Sequence, residues 1–352
     1  DPGLPLCNGS DDRHHGAMTE VNLTLAEGRA LAVKCLMANG CDEHNAAAVA
    51  DNMMLAERDM CSSHGLFRIP WHVATLRAGK ANGKARPRLE ALAPAVIRLH
   101  GDRAFAPVGH RFGHVPLIEA ARSNGIAALA FVDMYHVAAL WPEVEALSTE
   151  GLVAFAFTAS LPYVAPVGGK KPVYGTNPMS FGWPRKGRPP LVFDQASAAM
   201  ARGEVMIAAR DGHTLPESVG IDEHGNPTRD PEAVLRGAQL PFGGYKGSSL
   251  ALMIELLAGP LIGDFLSIEA EHDDAGAGAA PHGGELILAL DPARFGDPQG
   301  CMDHAERLFD VILSMDGSRL PGDRRYRNRL KTKEGGFYIP QSLYDSINEL
   351  MQ

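Results

Sequence analysis

Residues 114–134, HVPLIEAARSNGIAALAFVDM, narrow the folds open to this chain more than any other stretch. They read as a helix, an Asn-Gly stop and then an apolar run, Ile126–Val132, of the length and composition of a strand buried on both faces. AVIRLHGD before it (95–102) and GLVAFAFTAS after it (151–160) read as further strands, and PLVFDQAS (190–197) and ELILALDPARF (285–295) extend the series. Helices alternating with apolar strands predict an α/β core.

Both ends of the chain read differently. From Leu23 to Met60 two helical patterns follow one another, the first closed by Asn39-Gly40 and the second opening near Asp42. A third, RIPWHVATLRAGK, carries Pro70 in its first turn, where proline removes no helical hydrogen bond. Cys301–Met315 and Ser342–Met351 also read as helices. The expected organisation is therefore a helical domain from residues 18–85 and 300–352 around an α/β domain at 86–299. Within the latter, ESVGIDEHGNPTRDPEAV reads as a turn-rich surface insertion with a hairpin tip at Asp222–Gly225, and HDDAGAGAAPHGG as a mobile loop. AAMARGEVMIAARDG fits either a helical or an extended segment. The first 17 residues are polar and turn-rich, and read as a cloning remnant ahead of a natural start at Met18.

Composition removes several function classes. The net charge of −9 and the scattered Lys and Arg lack the basic stripe that nucleic-acid phosphates require. No apolar run reaches the length of a membrane span, so neither a nucleic acid nor a membrane is an expected partner. Five cysteines without C-x-x-C spacing argue against a disulfide framework and a structural zinc site, and no secretory leader is evident. The expected setting is a reducing cytoplasm.

Several stretches carry chemistry. In CSSHGLFRIP, Ser63 and His64 precede Arg68: an imidazole able to exchange protons, a hydroxyl able to set its tautomer, and a guanidinium able to grip a carboxylate. The same string also suits a helix terminus satisfied by serine, and both readings stand at this level. No G-x-G-x-x-G follows an early strand, and PVGHRFGH spaces its glycines wrongly, which argues against a Rossmann site. His110, His114 and His136 form no recognised ligand pattern, so no metal is expected. VYGTNPMSFGWP and PFGGYKGSSLALMI are glycine-rich, and Lys246-Gly247 in the second would set a cation at a helix N-terminus. Asp194 ends an apolar strand, and PGDRRYRNRL gathers Arg324, Arg325, Arg327 and Arg329 as either a solvated run or a polyanion site.

Taken in order, SHGLFR, HVAALWPE, YGTNPMSFGWP, FDQAS, PFGGYKGSSLALMIELLAG and RLPGD resemble the malate/L-lactate dehydrogenase family, the non-Rossmann type of 2-hydroxyacid dehydrogenase. DMYHVAALW and TASLPYVAPVGGKKPVYGTNPMSFGWP are most similar to its branch of Δ1-piperideine-2-carboxylate/Δ1-pyrroline-2-carboxylate reductases. The resemblance implies an NADPH-dependent reduction of a cyclic imino acid, with NADH a possible substitute. Its rivals are reduction of a 2-keto acid and a non-catalytic NADP or metabolite sensor.

By the same resemblance His64 is the proton donor, Ser63 orients it, and either Asp194 or Glu204 completes a relay. Glu204 stands where many relatives carry lysine. Arg68 and Thr176 would bind the substrate. The cofactor would lie against His136, Val137, Ala138, Ala139 and Leu140, against Asp194, Gln195 and Ala196, and against Lys246 and Gly247. Gly322, Asp323, Arg324, Arg325, Tyr326, Arg327 and Asn328 would complete its site, with the arginines at the 2′-phosphate. The fold implied is a non-Rossmann NAD(P)-binding α/β domain beside a small helical domain, in a homodimer.

Overall fold

The computed structural model describes residues 20–278, 280–297 and 300–352; the 1–17 segment and Ala279 of the expected loop lie outside the described residues. The chain opens with strand β1 (Glu20–Leu23), followed by helices α1 (Leu25–Ala38), α2 (Glu43–Arg58) and α3 (Ile69–Arg77). Thr24 and Glu27 cap α1 reciprocally, and the Asp42 carboxylate accepts the Asn45 amide at 2.9 Å to start α2. Caps of this kind are worth about 1 kcal/mol each. The central part contains β2 (Arg88–Ala93), β3 (Val96–Phe105), α4 (Ala106–Asn124), β4 (Ile126–Tyr135), α5 (Trp141–Thr149), β5 (Val153–Thr158), β6 (Met179–Trp183) and β7 (Leu191–Gln195). Then come α6 (Arg202–Asp211), the short strands β8 (Gly220–Ile221) and β9 (Pro227–Thr228), α7 (Pro231–Arg236), β10 (Ala238–Gln239), α8 (Tyr245–Ala258) and α9 (Ser267–Asp274). Last are β11 (His282–Leu290), α10 (Cys301–Leu313), α11 (Asp323–Gly335), β12 (Phe337–Pro340) and α12 (Gln341–Glu349).

The main sheet has seven strands in the order β2-β3-β4-β11-β5-β6-β7. Only β3 and β4 pair in parallel; every other neighbour is antiparallel. A Rossmann sheet is mostly parallel, so this α/β fold is of another kind. Its core, Leu99, Leu117, Leu129, Phe131, Leu147 and Ile287 among others, lies between the sheet and α4 and α5.

The two chain ends meet. β1 pairs antiparallel with β12, and Ala32, Cys35, Leu36, Met53, Ile69, Phe337, Ile339 and Ile347 share a second core. These strands were not expected, because four-residue strands are too short to show an alternating pattern.

Helix α4 starts eight residues before the HVPLIEAARSN segment, so PVGHRFGH is helical and not a loop. Its glycines serve close packing: a Cβ at Gly109 would lie 2.9 Å from Phe131, and one at Gly113 2.5 Å from Leu129. The expected mobile loop is partly helical too, since α9 runs to Asp274. The AAMARGEVMIAARDG segment is resolved in favour of helix, as α6.

Candidate active site

Helix α2 ends on Arg58, and the chain turns through two short 3-10 segments, Ser62–His64 and Leu66–Arg68, before α3. Glu57 holds this corner. Its buried carboxylate accepts the Leu66 amide at 2.7 Å, and a Cβ at Gly65 would fall 2.0 Å from its Oε1, so only glycine lets the turn close over it. Burial raises the Glu57 carboxyl to about 7 against the Leu66 hydrogen bond.

The corner delivers two side chains, His64 and Arg68, to one cavity, with Ser63 against His64. Ser63 Oγ lies 3.0 Å from His64 Nδ1, Arg68 Nε donates to the Ser63 carbonyl at 2.6 Å, and the Arg68 guanidinium stacks over Trp71 at 4.3 Å. The cavity holds about 250 Å³ and is walled by His64, Arg68, Trp71, His136, Val137, Ala138, Ser160, Tyr163, Thr176, Pro178, Arg202 and Met206, among others. Burial, with Arg68 and His136 nearby, lowers the His64 imidazole to about 3, so it is neutral at physiological pH. Burial also lowers Arg68, to about 10, and its charge is retained.

Thr176 reaches the cavity through the YGTNP turn. Buried Glu255 of α8 accepts hydrogen bonds from Asn177 Nδ2 at 2.8 Å and from the Gly175 amide at 3.2 Å, and the Thr176 amide donates to Ser160 Oγ at 3.2 Å. A carboxylate inside α8 thus fixes the turn.

Neither acid considered for the relay hydrogen-bonds His64. Asp194, at the end of β7, accepts the amides of Leu140 and Trp141 at 2.9 and 3.1 Å, which anchors the start of α5 and the HVAAL loop before it. Burial raises its carboxyl to about 6, opposed by the two amides and by Arg325. Trp141 in turn lies edge-on to His64 at 6.4 Å between ring centres. Glu204 stands in the first turn of α6, outside the cavity wall.

The expected cofactor residues divide into groups. His136, Val137 and Ala138 line the cavity, while Ala139 and Leu140 are buried behind it. Gln195 and Ala196 follow Asp194 at the end of β7. Lys246 is exposed and Gly247 buried at the start of α8, away from the cavity wall. Gly322 caps α11, Asp323 accepts the Leu320 amide, Arg325 donates to the Val192 carbonyl at 2.8 Å, and Tyr326 donates to the Pro190 carbonyl at 2.7 Å. Asn328 donates to the Asp59 carbonyl, and Arg324 and Arg327 are exposed. Arg329 is no free cation: it forms two hydrogen bonds each with Asp59 and Glu145, all between 2.6 and 2.8 Å.

A cluster without a sequence signature lies behind His136. His110 on α4 sits between Glu143, at 3.0 Å, and Glu285 in the middle of β11, at 2.8 Å, with His136 3.7 Å from Glu285. The two carboxylates raise His110 to about 10 against desolvation, which makes it a partly buried cation. The four groups approach within 4.8 Å of one another, a donor set that also suits a divalent metal. The sequence reading found no ligand pattern here because the residues come from three separate elements, α4, α5 and β11, and from the loop after β4. Arg202 and Tyr163, both in the cavity wall, were missed for want of any motif.

Comparison with known proteins agrees with this architecture. The malate/L-lactate dehydrogenase family profile matches residues 23–348. The chain is 46% identical over 334 residues to the Δ1-pyrroline-2-carboxylate/Δ1-piperideine-2-carboxylate reductase of Pseudomonas aeruginosa, covering 94% of this chain and 100% of that one. It is 44% identical to Δ1-pyrroline-2-carboxylate reductase 2 of Burkholderia multivorans, covering 94% and 98%. The crystal structure of Δ1-piperideine-2-carboxylate reductase from Pseudomonas syringae superposes with a TM-score of 0.87 at 38% identity, covering 94% and 99%. With the profile, the sequence identities and the superposition in agreement over nearly the whole length, the chain belongs to the malate/L-lactate dehydrogenase family.

Proposed function

We propose that this protein reduces the C=N bond of cyclic 2-imino acids, Δ1-piperideine-2-carboxylate to L-pipecolate and Δ1-pyrroline-2-carboxylate to L-proline, with NADPH. The observation that carries the reading is the corner at 62–68, which turns an imidazole and a carboxylate-binding guanidinium into the same small cavity. Arg68 takes the substrate carboxylate, with Thr176 beside it, and the imine faces His64. His64 gives a proton to the imine nitrogen, and Ser63 Oγ at Nδ1 sets the ring so that the opposite nitrogen faces the cavity. Asp194 acts indirectly by holding the HVAAL loop and Trp141.

The residues present fit a nicotinamide nucleotide. Val137, Ala138 and Pro178 offer an apolar wall within the cavity, and α11 carries exposed Arg324 and Arg327 beside β7. Bound there, the cofactor supplies the hydride; the chain supplies the carboxylate anchor and the proton. Arg324 and Arg327 are the residues we assign to the 2′-phosphate and hence to preference for NADPH over NADH. Lys246-Gly247 and Gln195-Ala196 border the rest of the cofactor site in this reading.

We further place the protein in the cytoplasm as a homodimer, and treat residues 18–85 with 300–352 as one helical domain. Free Cys35 and Cys41 support the first, and the exposed apolar side chains Leu252, Leu256, Leu261 and Ile268 on and beside α8 support the second. β1–β12 pairing supports the third.

The test is product analysis. Incubation with NADPH and Δ1-piperideine-2-carboxylate yields L-pipecolate in equal amount to NADP. A protein that binds both and yields no pipecolate is not a reductase of this class.

A further inference from the structure

Arg202 has no part in the function proposed above, yet it stands in the wall of the same cavity. It opens α6, with its guanidinium carbon 3.7 Å above the ring of Tyr163. Its one hydrogen bond to the backbone, to the Leu235 carbonyl, is long at 3.4 Å. The next residue, Gly203, brings the helix against the opposite arginine: a Cβ there would lie 3.8 Å from Arg68 Nη2. Both guanidinia flank Tyr163, and the phenol is the only titratable group that offsets either charge among the described residues. Burial disfavours both cations. Two desolvated guanidinia without a carboxylate partner form a costly arrangement, which an anionic ligand relieves.

We propose that Arg202 is the second half of the substrate-carboxylate site: Arg68 takes one oxygen and Arg202 the other, with Tyr163 as the platform that holds Arg202 in place. Arg202 is then a specificity-determining residue that selects a ligand carrying a full carboxylate over its amide or ester. The cavity volume of about 250 Å³ favours one shared carboxylate over a second acidic group on the substrate. This inference rests on the reading of the cavity as a 2-imino acid site.

The planar ring analogue pyrrole-2-carboxylate and its neutral carboxamide separate the possibilities, measured by calorimetry on the wild type and on Arg202→Gln. The expected result is a 10- to 100-fold loss of carboxylate affinity in the variant, the scale of a lost charge-assisted hydrogen bond, with carboxamide affinity within about threefold and NADPH affinity unchanged. KM for the imino acid rises in parallel. Arg202→Lys, which keeps the charge and loses the fork, shows an intermediate loss and serves if the glutamine variant fails to fold. Equal losses for both analogues, a loss confined to NADPH, or unchanged carboxylate binding would each overturn the proposal. If the wild type itself binds no pyrrole-2-carboxylate, the imino acid reading fails first and the inference with it.

Discussion

In the proposed reaction His64 is the proton donor, and its surroundings keep it neutral. Burial and the neighbouring Arg68 and His136 lower it to about 3, so in this account it takes up its proton as the substrate carboxylate arrives and offsets those charges. Proton uptake should therefore accompany binding of a carboxylate analogue, seen as a buffer-dependent binding enthalpy that disappears in His64→Gln. The pKa in the kcat profile should accordingly lie above the one in kcat/KM, since the first reports the complex and the second the free protein. His64→Ala should lower kcat by about 10²- to 10⁴-fold and leave NADPH affinity intact, measured by steady-state kinetics and by fluorescence titration. Ser63, His64 and Arg68 stood out as a group by residue type, though a polar helix end fitted the same string. Arg202 did not, because a lone arginine carries no spacing signal and its meaning comes from Tyr163 and Gly203 around it.

Among the elements, two buried carboxylates do more than their helices suggest. Glu57, at the end of α2, holds the 62–68 corner through Leu66, and burial raises its carboxyl to about 7. A folded-state value raised above the ordinary 4.5 means that the folded protein holds this proton more tightly. The contribution is fully present at pH below about 4.5 and is lost as pH rises through 7. Glu57→Gln should flatten that part of the stability-against-pH curve in urea titrations. Glu255 does the equivalent work for the YGTNP turn from inside α8. Glu255→Ala should loosen Thr176 and raise KM for the imino acid several-fold, with a smaller effect on the KM for NADPH. Neither acid drew a role in the sequence reading, because what a glutamate in a helical pattern holds depends on neighbours distant in the chain. The helices and long strands were legible because burial imposes period on them; β1 and β12 are too short to show one, and the start of α4 was hidden by glycines that serve packing against β4.

At the scale of the whole molecule, the chain order of six motifs carried more than any one of them, since local spacing alone left CSSHGLFRIP open between a polar turn and a site. The mostly antiparallel sheet accords with the lack of a dinucleotide fingerprint: here the cavity lies among the 62–68 corner, the HVAAL loop and α6, not at the carboxyl edge of parallel strands. The apolar side chains exposed on and beside α8 belong to an assembly surface in this account, and Leu256→Glu should shift the protein toward monomer in light scattering. The central claim concerns the reacting bond. Steady-state oxidation of NADPH, followed in parallel with Δ1-piperideine-2-carboxylate and with pyruvate, tests it most directly. The account predicts a kcat/KM for the imino acid at least 100-fold above that for pyruvate; equal values, or a preference for the keto acid, would contradict it.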